Sequence, residues 1–102
     1  MRVTAWKNGR FANPSSTYGI RIGAGNRDQY FRPEWKFIII EIEDDSVVEP
    51  PLTDGFWRTC PEVRHPAFRD WFTSKRLIPW PAGHPPIFEL KLVRERRFRL
   101  RP

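Results

Sequence analysis

Cysteine is almost absent from this chain, and so are long runs of apolar residues. Cys60 is the only cysteine among 102 residues, so no disulfide can form within the chain and no zinc site can be built from cysteines. The longest apolar run is Phe37–Ile40, whereas a membrane-spanning helix needs about 20 apolar residues. The segment Met1–Lys7 lacks the apolar stretch of a signal peptide. We therefore expect a cytoplasmic protein with no membrane partner.

Acidic residues are few in relation to basic ones. The chain has 18 Lys and Arg against 12 Asp and Glu, which gives a formal net charge of +6. A balance of this kind favours an anionic partner, and we expect nucleic acid or an acidic protein. A homodimer is the other partner that the sequence leaves open.

Aromatic side chains, in contrast, are abundant. The chain contains 5 Trp, 8 Phe and 2 Tyr, and each of these rings can bury roughly 150–250 Å². A hydrophobic core can therefore form despite 11 prolines and 29% charged residues. Because domains span about 50–250 residues, we predict a single globular domain over residues 1–102.

Alternation of apolar and polar residues predicts β-strands along most of the chain. Asn8 and Gly9 form a favoured two-residue turn, which predicts a hairpin that returns over 10–12. The run Phe37–Ile40 is apolar on both faces and predicts a central strand covered on both sides. The predicted strands are 3–7, 10–12, 17–22, 36–43, 87–93 and 97–101.

A single helix is predicted over about 66–76. Thr59 and Glu62 have the spacing of a capping box, but Pro66 can occupy only the first turn of a helix. The side chains that follow at helical spacing are Phe68, Trp71 and Phe72. The predicted fold class is α+β, mainly β: five or six short antiparallel strands form a small barrel or bent sheet, and the helix packs against it. Closure into a barrel would remove exposed strand edges.

The segment 94–101 carries five arginines among eight residues. In a strand, Phe98 and Leu100 point to one face, and the arginines at 97, 99 and 101 point to the other. Guanidinium groups bind phosphate oxygens well, so this face is a candidate anion-binding surface. Its predicted binding residues are Arg21, Arg97, Arg99 and Arg101, joined by Lys91. Alternatively, the carboxylates of Glu41, Glu43 and Glu89 pair with these arginines across the strands, and no ligand is needed.

The segment 23–32 is a second candidate binding element, interpreted as a loop. Arg27 and Arg32 would bind anions, while Tyr30 and Phe31 would stack on bases. The alternative is that these rings fold back onto the core. Other rings that flank turns are also candidates for exposure: Trp6, Phe11, Trp35 and Trp80.

Catalytic, cofactor-binding and metal-binding residues are not predicted. Asp70, Glu89 and Lys91 outline an acidic pair with a lysine, so a metal-dependent hydrolase is a remote alternative; surface ion pairing explains the same residues. The glycines at 23 and 25 do not continue into a dinucleotide fingerprint, because Asp28 stands where the third glycine is required. The sequence favours a non-enzymatic binding module for nucleic acid or another polyanion. A protein-interaction or homodimerising domain is the alternative.

Overall fold

A seven-stranded sheet and three short helices make up the protein. The computed structural model describes all 102 residues. The strands are β1 (Arg2–Asn8), β2 (Thr17–Arg21), β3 (Ile39–Ile42), β4 (Val47–Val48), β5 (Glu62–Arg64), β6 (Ile87–Arg94) and β7 (Arg97–Arg101). The helices are α1 (Ala24–Tyr30), α2 (Asp54–Arg58) and α3 (Pro66–Ser74). The predicted α+β class, mainly β, is confirmed.

The sheet is open, with the strand order β4-β3-β7-β6-β1-β2-β5. All pairs are antiparallel except β3 with β7, which run parallel. The predicted barrel is therefore wrong, as is the prediction of five or six antiparallel strands. The edge strands β4 and β5 have only two and three residues. Because so little unpaired backbone is exposed at either edge, the sheet does not need closure to protect it.

The hydrophobic core lies on one side of the sheet, under the helices. Its 21 buried residues include the inward side chains of the strands and the rings of Phe56, Phe68, Trp71 and Phe72. Helix α3 begins at Pro66, as predicted, and its preceding residue His65 accepts a hydrogen bond from the Ala67 N–H at 3.0 Å through Nδ1. This cap and the three buried rings fix α3 against β2.

Two local predictions near the helices are wrong. Thr59 does not start a helix, because it follows the end of α2, and Glu62 belongs to β5. The sequence reading missed α2, whose N-cap Thr53 accepts a hydrogen bond from the Phe56 N–H at 3.2 Å through Oγ1. Threonine precedes many loops as well as helices, so Thr53 alone does not predict a helix. Only the burial of Phe56 distinguishes α2 from a loop.

The first hairpin forms with a longer connection than the Asn-Gly turn predicts. β1 pairs with β2 up to Asn8 opposite Thr17, and residues 10–12 form no strand. The connecting loop is closed by its own hydrogen bonds, among them one from the Ser16 hydroxyl to the Arg10 carbonyl at 2.6 Å. Gly9 has φ 105°, a left-handed conformation that favours glycine and turns the chain into this loop.

Strand β3 lies second from one edge rather than at the centre of the sheet. Ile39 is only partly buried, so the prediction of a strand covered on both sides is wrong. The strands predicted over 87–93 and 97–101 are confirmed, with one irregularity in their pairing between Leu92 and Arg94. None of the helices is long and apolar enough to cross a bilayer.

Candidate anion-binding face

The side of the sheet opposite the core is not covered by any helix. We call it the outer face. The pairing register and the alternation of burial place these basic side chains on it: Arg2, Arg21, Arg64, Lys91, Arg97, Arg99 and Arg101. The acidic side chains of the same face are Glu41, Glu62 and Glu89. Basic groups therefore outnumber acidic groups on the only uncovered surface of the sheet.

Glu41 binds two arginines of β7. Its carboxylate accepts hydrogen bonds from the Arg97 Nε, and from the Nε and Nη2 of Arg99 at 3.2 Å each. The hydrogen bond from Arg97 holds the pKa of Glu41 below its ordinary value; desolvation acts in the opposite direction, and Arg99 adds to the lowering. The predicted pairing is confirmed for Glu41, and it neutralises part of the charge of β7.

The other two glutamates do not pair with arginines. Glu43 lies beyond the end of β3 and forms an ion pair with Lys75, the C-cap residue of α3. Glu89 Oε1 lies 3.0 Å from the Met1 nitrogen. The prediction that these carboxylates neutralise the arginine face is therefore wrong for Glu43 and Glu89, because each has another cation nearby.

Four basic side chains of the outer face have no carboxylate partner. Arg2, Arg21, Lys91 and Arg101 are exposed, and none of the chain's ion pairs includes them. They lie on β1, β2, β6 and β7, which are neighbours in the sheet. Glu89 stands between two of them in register, opposite Arg2 on one side and Arg101 on the other. With neighbouring strands about 4.8 Å apart, the backbones of those two arginines are separated by about 10 Å.

The second predicted binding element is a helix, α1, and it does not join the outer face. The Arg27 side chain is 15% exposed; its Nη1 donates to the Phe56 carbonyl at 3.1 Å and its Nε to Asp28 at 3.0 Å. Arg27 therefore ties α1 to α2 and is not free for an anion. Arg32 is exposed and lies 3.7 Å from Glu95 in the β6–β7 turn.

The prediction that Phe31 stacks on bases is wrong. Phe31 is 6% exposed, and its ring is stacked on that of Phe98 with a centroid distance of 5.0 Å and an interplanar angle of 15°. It belongs to the core because α1 lies on the covered side of the sheet. Tyr30 is partly buried against the same core.

The prediction of exposure is also wrong for Trp35, which is 5% exposed and belongs to the core. Phe11 and Trp80 are partly buried against the core. Trp6, in contrast, lies on the outer face and is partly exposed.

Arg2 and Arg64 belong to the outer face but were not among the predicted site residues. The alternation of Val3 and Ala5 with polar neighbours indicates where Arg2 points, so the sequence carried a signal for it. Arg64 lies in a strand of three residues, too short for an alternation to be recognised. Its position depends on the pairing of β5 with β2.

The residues of the hydrolase alternative lie on opposite sides of the sheet. Asp70 is part of α3, on the covered side, and Glu89 is on the outer face beside the Met1 nitrogen. No three His, Cys, Asp or Glu side chains are grouped so that they could hold a metal ion. The geometry thus offers this alternative no support.

Comparisons of the chain with protein-family models, with curated proteins and with solved structures found no match. The function is therefore inferred from the geometry and charge of the outer face.

Proposed function

We propose that the protein is a non-enzymatic binding module that contacts nucleic acid in the cytoplasm through the outer face. The observation that carries this proposal is the patch of four exposed, unpaired cations on four neighbouring strands: Arg2, Arg21, Lys91 and Arg101. The surface beneath them is not covered by any helix, so a long ligand can reach all four.

The patch suits a chain of phosphates better than a single small anion. Neighbouring cations on the outer face repel one another. Glu89 lies between Arg2 and Arg101 but pairs with the Met1 nitrogen instead of with either arginine. A sugar–phosphate backbone supplies regularly spaced negative charges, and a guanidinium can bind two oxygens of one phosphate. Arg97 and Arg99 border the patch and retain partial exposure beside Glu41.

The expected affinity is strongly dependent on salt. Each phosphate contact to a single strand contributes a slope of about −0.7 to the logarithmic salt dependence, so four contacts give about −2.8. The association constant should then fall about 50-fold between 50 and 200 mM salt.

Self-association through this face is disfavoured, because two copies would bring their cations together. The edge strands are also too short for extensive pairing with a second sheet, at two and three residues. An acidic protein would match the charge but not the regular spacing, and poly-glutamate serves as a competitor that separates the two classes of partner.

The proposal is tested by fluorescence anisotropy with a labelled 20-nucleotide strand at several salt concentrations. A face variant, Arg21→Gln with Lys91→Gln and Arg101→Gln, is compared with a control variant of equal charge, Arg10→Gln with Lys36→Gln and Arg58→Gln. The control residues are exposed, form no ion pair and lie outside the sheet strands. The face variant should make the slope shallower by about 2.1, whereas the control should keep the slope of the wild type.

Circular dichroism establishes that both variants are folded. Equal losses in the two variants would show that net charge alone, and not the outer face, attracts the strand. An undetectable affinity of the wild type at 50 mM salt, or poly-glutamate binding as tightly as the strand, would overturn the proposal.

A further inference from the structure

A depression lies at the β5 end of the outer face, beside the patch of unpaired cations. It has a volume of about 250 Å³, somewhat smaller than the range of about 300–1,000 Å³ typical of pockets for drug-sized ligands. Its principal lining residues are Trp6, Asn8, Arg21, Cys60, Glu62 and Arg64. We call it the Trp6 depression. It combines an aromatic ring, cations and hydrogen-bonding groups within one part of the outer face.

Trp6 is partly exposed, as are Trp57 and Trp80, but of these three it is the one that lies on the outer face. Its cross-strand neighbour on β2 is Gly19, which has no side chain to cover the ring, and the pairing of β1 with β6 ends at Thr4. The Arg64 guanidinium lies over the Trp6 ring, 4.5 Å from its centroid, so a base that stacks on this face of Trp6 must displace Arg64. In contrast, Trp35 and Trp71 are 5% and 1% exposed and belong to the core.

The groups around Trp6 match those that bind an unpaired nucleotide. Bases stack on aromatic rings and on arginine planes, which Trp6 and Arg64 provide. Arg21 is exposed, has no ion-pair partner and can bind the adjoining phosphate. The amide of Asn8 is exposed and can hydrogen-bond to a base edge. The Glu62 side chain is 6% exposed, and one of its oxygens lies 3.1 Å from Arg64 Nη2, so Glu62 orients Arg64.

A duplex does not offer a base to such a depression. Each base in a duplex is stacked between its neighbours, and flipping it out costs a few kcal/mol. We infer that the Trp6 depression binds a base of an unpaired strand by stacking on Trp6, so that the ligand of the outer face is single-stranded nucleic acid. This inference rests on the proposed function and specifies its substrate class.

The first test compares three probes of equal length: an oligothymidylate, the same strand with abasic sites, and a duplex. Base–aromatic stacking is worth about 1–3 kcal/mol per base, which corresponds to an affinity about 5- to 140-fold higher for oligothymidylate than for the abasic strand. Trp6→Ala should abolish this ratio while leaving the affinity for the abasic strand and the salt slope unchanged. Trp6→Phe should retain part of the ratio.

A structural role of Trp6 gives a different outcome. An aromatic ring opposite a glycine can stabilise a sheet by covering it, and Trp6 does lie opposite Gly19. In that case Trp6→Ala lowers the midpoint of urea unfolding, but the folded variant still prefers oligothymidylate to the abasic strand by the same ratio. That result would overturn the inference.

Cys60 provides a second readout, which locates the bound nucleic-acid strand on the protein surface. It is the only cysteine of the chain, it is exposed, and it lines the Trp6 depression. Oligothymidylate should slow its alkylation by N-ethylmaleimide several-fold, and more than the abasic strand does. The control is Ala82→Cys in a Cys60→Ser background, because Ala82 is exposed in the connection between α3 and β6. Its alkylation rate should not change.

The outcomes separate the inference from the proposed function. Equal affinity for the abasic strand and oligothymidylate, or tighter binding of the duplex, would overturn the inference and leave the phosphate contacts of the outer face intact. If neither the oligothymidylate nor the abasic strand binds, the proposed function and the inference both fail.

Discussion

Glu41 controls how much positive charge the outer face presents to a ligand. In Glu41→Gln the side chain keeps its shape but loses its charge, so that Arg97 and Arg99 become available to phosphates. The number of contacts should rise from four to six, and the salt slope for a single strand should steepen from about −2.8 to about −4.2. The fall in association constant between 50 and 200 mM salt should increase from about 50-fold to about 340-fold.

The control for this change is Glu34→Gln. Glu34 is an exposed glutamate outside the strands and forms no ion pair, so its replacement alters the net charge equally. Anisotropy titrations of the two variants and the wild type, at five salt concentrations, measure the slopes. An unchanged slope in Glu41→Gln, or an equally steep slope in Glu34→Gln, would show that Glu41 does not keep Arg97 and Arg99 from binding phosphates.

The same carboxylate gives the stability of the protein a defined dependence on pH. Because the folded-state pKa of Glu41 is lowered from its ordinary value of 4.5, the charged form favours the native state. Its contribution is complete above pH 4.5 and is lost as the pH falls through the lower folded-state pKa. The difference in urea midpoint between the wild type and Glu41→Gln should be constant from about pH 6 to 7 and shrink below 4.5. A difference that grows on acidification would contradict the assignment.

Two further substitutions test the scaffold of the site. Gly19→Ala should lower the free energy of unfolding in urea by about 1–3 kcal/mol. A Cβ atom at this position would lie 2.2 Å from the Val63 carbonyl oxygen and would push β5 away from β2. A variant as stable as the wild type would contradict this packing. Phe31→Ala should lower the free energy of unfolding by about 3–5 kcal/mol, because it removes a buried ring that is stacked on Phe98. The affinity of the folded variant for single-stranded nucleic acid should not change. A loss of affinity without a loss of stability would instead support the original interpretation of Phe31 as a base-stacking residue.

Local patterns were sufficient to predict β7 and the start of α3. The alternation over 97–101 predicted correctly that Phe98 and Leu100 enter the core and that the arginines between them face away. Pro66 marked the start of α3 because proline is compatible only with the first turn of a helix. The alternation in β7 and the proline at the start of α3 are both recognised from residues that are close together in the sequence.

The short elements could not be predicted in the same way. β4 and β5 have two and three residues, too few for an alternation of period 2 to become apparent. α2 has five residues, too few for the helical period of 3.6. α1 has no side-chain cap and no buried residue, and a hydrogen bond from Arg27 to the Phe56 carbonyl ties it to α2. Elements of this length are stabilised by tertiary contacts rather than by their own propensity.

The sequence by itself determined that the protein has a basic strand face and an aromatic core; the tertiary structure alone decided which cations are free. Glu41, Glu43 and Glu89 are equivalent partners for arginine when read along the chain. The parallel pairing of β3 with β7 places Glu41 opposite Arg99. Glu43, in contrast, lies beyond the end of β3 and forms an ion pair with Lys75. Ion pairs require atoms within about 4 Å, and for residues more than 30 positions apart only the strand order brings them so close.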